Sequence, residues 1–237
     1  VGQRGSRSAL LTENSGFAYK EAFRYLQTNV NLLAASNEQK AIVVTSSVSG
    51  EGKTSVSINL AKSLAAAGKR VILVECDLRM PTISQYLSLT GTGSDQNGLQ
   101  GLLSGACILN DAVIQQDGLF LITSGGTSEN SVELLGSKRM RLLISLLKEQ
   151  YDYIIMDAPP AGELADAISL CAASDSLLLV VRENYANLKS IQNTTDQIRK
   201  SEIHLLGSVL TFCNPKVSKM RRGYSRYSYY GKYSKEK

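Results

Sequence analysis

The sequence predicts an α/β fold: a mostly parallel central sheet flanked by helices. Three observations predict it. Short runs rich in Val, Ile and Leu recur along the chain, helix-length stretches separate most of them, and a glycine-bearing turn joins the first run to the helix after it. Runs that are apolar throughout, with no polar alternation, belong to strands covered on both faces, and such strands are parallel. At 237 residues and 43% hydrophobic content, the chain is long enough to bury one large core.

Residues 18–35, AYKEAFRYLQTNVNLLAA, place apolar side chains at helical spacing and predict an amphipathic first helix. Strands follow at 41–44 (AIVV), 70–75 (RVILVE), 119–123 (LFLIT), 153–156 (YIIM), 176–181 (SLLLVV) and 205–212 (LLGSVLTF). Each is too short for a stable helix and most are β-branched. Helices are expected at 54–67, 131–149, 163–173 and 187–200, and a surface loop at 91–98, GTGSDQNG. One domain over 1–212 and a flexible tail over 213–237 complete the expected layout.

The formal charge of +5 conceals an asymmetry. Residues 216–237 hold eight Lys or Arg against one acid, and the rest of the chain is slightly acidic. A globally basic surface for coating nucleic acid is therefore not indicated, and no nucleic-acid partner is expected. Cys76, Cys107, Cys171 and Cys213 are scattered, with His204 the one histidine, which argues against zinc and for buried thiols in a reducing cytoplasm. No apolar run approaches the ~20 residues of a bilayer span and no secretory pattern opens the chain, so a soluble cytoplasmic protein is expected.

Residues 41–64, AIVVTSSVSGEGKTSVSINLAKSL, read as strand, turn and helix, the setting a phosphate-binding loop requires. The nucleotide-contacting stretch runs through Ser49, Gly50, Glu51, Gly52, Lys53, Thr54 and Ser55. Gly50 and Gly52 let backbone amides curl around phosphate oxygens, and the helix directs its positive end at the same anion. Lys53 reaches the terminal phosphates and Thr54 offers a hydroxyl to magnesium. The strict G-x-x-x-x-G-K-[ST] pattern has glycine where Ser47 stands.

Two further strands end in acids. VILVECDLRMP carries Glu75, Asp77 and Arg79, and YDYIIMDAPP delivers Asp157. A carboxylate in an apolar core is costly, so these side chains are expected at the carboxyl edge of the sheet, beside the phosphate loop, where Asp77, Asp157 and Thr54 can hold Mg2+ directly or through water. Arg79 has Glu75, Asp77 or a phosphate as possible partners.

The combination resembles the bacterial tyrosine kinases of capsular and exopolysaccharide synthesis. It rests on the phosphate loop, VILVECDLR some twenty residues later, YIIMDAPP, EAFRYLQTN near the start, SENSVELLGS at 128–137 and the tyrosines at the end. The family is similar in fold to the MinD and ParA ATPases, whose signature lysine is replaced here by Val48. The resemblance implies ATP and Mg2+ as cofactors, catalytic roles for Lys53, Glu75, Asp77 and Asp157, and a share in accepting the tyrosine proton for residue 75, where the family usually has Asp. It implies phosphorylation in trans of Tyr224, Tyr227, Tyr229, Tyr230 and Tyr233 within a homo-oligomeric ring.

Subunit contacts would come from the first helix, whose Glu21 and Arg24 match an E-x-x-R-x-x-R motif that ends here in Gln27. The same pair also reads as an ion pair within one helix. Thr211 stands where the family has an asparagine suited to the base. Further partners implied are a membrane-embedded activator, separate from this chain or cut away from it, and a cognate tyrosine phosphatase; they place the protein in the cytoplasm at the inner face of the membrane. A silent ATP-binding scaffold and a MinD-like ATPase switch remain open alternatives.

Overall fold

The computed structural model describes residues 10–35, 39–89 and 97–213. Seven strands, β1 Ala41–Ser46, β2 Val71–Glu75, β3 Val113–Gln116, β4 Leu119–Ile122, β5 Tyr153–Asp157, β6 Ser176–Arg182 and β7 His204–Thr211, form one sheet in the order β3-β4-β2-β5-β1-β6-β7. Every pairing is parallel except β3 with β4. The five parallel runs from β1 to β6 are buried almost end to end, as expected of strands with helices on both sides.

Strand alternation divides the core in two. Ile42, Val44, Leu73, Ile155, Leu178 and Val180 face α1 (Phe17–Ala35), α2 (Lys53–Ala66) and α3 (Ile83–Leu87). Val43, Ile72, Val74, Met156 and Leu179 face the opposite layer, which contains α4 (Leu99–Ser104), α6 (Ser131–Leu135), α7 (Lys138–Gln150), α8 (Asp166–Cys171) and α9 (Leu188–Lys200). A one-turn helix, α5 (Leu109–Ala112), leads into β3.

The predicted helix over 131–149 is two helices. The chain breaks at Gly136–Ser137, and the Ser137 hydroxyl accepts from the Met140 amide to cap α7. Strand β3 and the short helices α3, α4 and α5 were not anticipated. Most of the predicted surface loop and the tail from residue 214, with its five tyrosines, lie outside the described residues.

Strand β1 sits between β5 and β6, so the turn after it opens at the middle of the sheet's carboxyl edge. On β2 and β5, Glu75 and Asp157 are register partners on the α2 face.

Candidate active site

Gly50 and Gly52 adopt φ of +88° and +90°, conformations a β-carbon disfavours, and so turn the chain from β1 into α2. Ser47 has no positive φ, which removes the backbone reason for the glycine of the strict pattern. Helix α2 begins at Lys53 with no side chain capping its first turn. Its initial amides are thus left for an anion.

Three side-chain pairs meet at this helix end. Lys53 Nζ lies 3.0 Å from Asp77 Oδ2, Thr54 Oγ1 donates to Asp157 Oδ2 at 2.8 Å, and Ser57 Oγ donates to Asp157 Oδ1 at 2.9 Å. Asp157 is 1% exposed. Burial pushes its carboxyl above the usual range, only partly offset by Lys53 and the two hydroxyls. Burial alone would lower the Lys53 ammonium, but Asp157, Asp77 and Glu75 together carry it upward. A charged Lys53 is therefore secured by surrounding acids.

Glu75 reaches the expected carboxyl edge, in register with Asp157 and close enough to help raise the Lys53 pKa, but its carboxylate is taken up by backbone amides. It is 1% exposed, and its carboxylate accepts from the amides of Thr82 at 2.6 Å, Ile83 at 2.7 Å and Ser124 at 3.0 Å. The glutamate's extra methylene carries the carboxylate across to the start of α3, where it caps a helix that has no cap of its own. Burial raises its pKa despite these donors. Arg79 differs too: its Nε pairs with Asp166 at 3.0 Å, not with Glu75 or Asp77, and the buried Asp166 also accepts from Ser131.

Within the loop, Glu51 is fully buried and its side chain turns inward. Its carboxylate accepts from the amides of Ser47 (2.7 Å), Val48 (2.9 Å) and Arg182 (3.1 Å), while its carbonyl accepts from the Thr211 hydroxyl at 2.7 Å. Thr211 is thereby committed to the loop. The Ser49 amide donates to Glu163 at 3.2 Å, and Gly162 comes so close to Ser47 that a β-carbon would stand 2.2 Å from its carbonyl oxygen. Ser55 follows in the first turn of α2, half-buried. On α1, Glu21 and Arg24 form an exposed i,i+3 pair at 2.6 Å, the contact that one helix can make by itself.

Comparison with known proteins decides the family. A family model described as an AAA domain matches residues 39–207. The tyrosine-protein kinase CpsD of Streptococcus pneumoniae is 32% identical over 221 residues, 92% of each chain, and the tyrosine-protein kinase YwqD of Bacillus subtilis is 30% identical over 232 residues, 97% of this chain and 94% of that one. The chain belongs to the bacterial tyrosine kinases. The solved VpsO kinase domain superposes with a TM-score of 0.73 at 31% identity, covering 81% of this chain and 94% of that one. MinD of Pyrococcus horikoshii, solved with Mg-ADP, gives a TM-score of 0.61 at 25% identity over 72% and 69% of the two chains.

For a tyrosine kinase of this fold, the donors suit nucleotide-bound magnesium. Among the described residues no cluster of three His, Cys, Asp or Glu could hold a metal alone. Magnesium, however, takes one or two protein oxygens and completes its shell with phosphates and water, and the Thr54 hydroxyl beside Asp157 provides such oxygens. Sequence reasoning did not single out Ser57, Glu163, Asp166, Arg182, Tyr185 or Phe212. Only Ser57 had a local signal, its i+3 spacing from Thr54.

Proposed function

We propose that this domain is a Mg-ATP-dependent tyrosine autokinase that phosphorylates Tyr224, Tyr227, Tyr229, Tyr230 and Tyr233 of a neighbouring copy and so regulates capsular or exopolysaccharide synthesis and export. One observation carries this reading: Lys53, Thr54, Asp77 and Asp157 converge at the uncapped start of α2. The α2 amides and Lys53 would bind and orient the outer phosphates, with Lys53 exchanging part of its attraction to Asp77 for the developing charge. Thr54 and Asp157 would hold Mg2+, which neutralises phosphate oxygens when bound. Phosphoryl transfer asks mainly for alignment and charge neutralisation, so the engagement of Glu75 elsewhere would slow proton removal without taking away the positioning that Lys53 and Mg2+ would supply.

A tyrosine oxygen would attack the γ-phosphorus as the bond to the ADP oxygen breaks, its proton passing to the transferred phosphoryl group or to water. The tail is suited to this as a sequence: five phenolic hydroxyls within ten positions, in a segment over 216–237 whose eight positive charges an acidic site attracts. Each phosphate adds about −1.5 to −2 charges, so four or five would cancel the tail's excess of positive charge. That neutralisation would loosen a ring assembled through α1, with a membrane-embedded activator and a phosphatase setting the balance at the inner face of the membrane.

The deciding experiment incubates wild type and Lys53→Met with Mg-ATP and follows tail phosphotyrosine and free phosphate. Tail labelling in wild type, lost in the variant, is expected; free phosphate alone would indicate an ATPase switch instead. A silent scaffold is the second reading. Glu75 favours it, because three amides occupy the carboxylate that would otherwise receive the phenolic proton.

A further inference from the structure

Beside the phosphate loop stands a stack that the kinase reading leaves without a role. The Arg182 guanidinium lies over two rings, 4.4 Å from the centroid of Tyr185 and 4.1 Å from that of Phe212. Both residues are at least half exposed, Tyr185 at 50% and Phe212 at 64%. The stack is built onto the loop itself. Arg182 Nη1 donates to the Gly50 carbonyl at 3.2 Å, the Tyr185 hydroxyl lies 2.7 Å from where a β-carbon of Gly50 would be, and the Phe212 ring lies 3.4 Å from that of Gly52.

We infer that this stack is the platform for the nucleotide's base, held by its face and not by its edge, so that the site accepts guanine as well as adenine nucleotides. The inference rests on the reading of the loop as a nucleotide site. Three observations support it. Phe212 holds φ at +55°, a left-handed conformation that is unfavourable for a bulky residue and that structures maintain at ligand clamps. An arginine lying over two rings forms with them a weakly hydrated surface suited to a flat aromatic partner. Two hydroxyls at this strand end are turned to the loop and not outward: the Thr211 hydroxyl donates to Glu51, and the Tyr185 hydroxyl lies against Gly50. Stacking is indifferent to base identity because every base has a π face.

The test is calorimetry on the full chain with Mg-ADP, Mg-GDP and inorganic tripolyphosphate, for wild type, Phe212→Ala and Phe212→Tyr. Wild type is expected to bind ADP and GDP within about tenfold of each other. Phe212→Ala should weaken both nucleotides by about 5- to 150-fold, while tripolyphosphate binds as before and Phe212→Tyr restores the loss. The platform is refuted by equal losses for tripolyphosphate and nucleotide, by no loss at all, or by a wild type that rejects GDP. A wild type that binds neither tripolyphosphate nor ADP would overturn the phosphate-loop reading itself, and the platform with it.

Discussion

Glu75 and Asp157 end neighbouring strands in register, face the same helical layer and are equally buried, yet they are partnered in opposite ways. Asp157 is held by two side-chain hydroxyls and a nearby ammonium, groups that can rotate when a metal arrives. Glu75 is held by three backbone amides, which cannot rotate away without moving α3 and the strand end after β4. Burial and a raised pKa are common to both acids, and what separates them is whether their partners can be exchanged.

The largest effect should come from the exchangeable side. Asp157→Asn is expected to cut the initial rate of tail phosphorylation by about 10²- to 10³-fold while the denaturation midpoint moves little; an unchanged rate would erase the distinction. On the fixed side the order reverses. Glu75→Ala leaves three buried amides without an acceptor and should cost about 3 kcal/mol in urea unfolding, with the rate per folded molecule less affected than in Asp157→Asn. A stable but inactive Glu75→Ala protein would instead make Glu75 a participant in the chemistry.

Acidification sharpens the same contrast. Both carboxyls have folded-state pKa values raised above their ordinary 4.5 and 3.8, so in that window the folded chain binds more protons than the unfolded one. Their contribution to stability is therefore present at low pH and lost as pH rises through the folded values. Glu75→Gln should flatten this part of the stability profile. Magnesium-dependent nucleotide binding should run the other way, weakening as pH falls and Asp157 takes up its proton, with a midpoint above that of an ordinary aspartate. A midpoint at the ordinary value would remove the argument from burial.

The smallest effect belongs to the exposed pair on α1. Arg24→Ala should cost the isolated subunit only ~0.2–0.5 kcal/mol, because the Glu21 contact is solvated and local. A much larger loss of self-association, read by analytical ultracentrifugation, would show that the pair also serves a neighbour.

Much of this arrangement was legible in the sequence wherever the signal was local. The six apolar runs became strands close to their expected bounds, and the loop motif together with acids at strand ends brought Lys53, Thr54, Asp77 and Asp157 to one place. Strand β3 escaped because half of VIQQ is polar, as befits an edge. Its signal was nevertheless present in Asp117-Gly118, which turn the hairpin with φ of +51° and +77°. The destinations of Glu75 and Arg79 were not legible. Ser124 lies 49 residues from Glu75, and Asp166 lies 87 from Arg79, so only the assembled layers bring them together.

Glu51 ties the first amides of the loop to one another and to β6, and Thr211 ties its carbonyl to β7. The cradle is thus shaped while the chain folds, and little ordering of backbone is left for the moment of ligand capture. Encounter should then be governed by diffusion and charge more than by rearrangement of the loop.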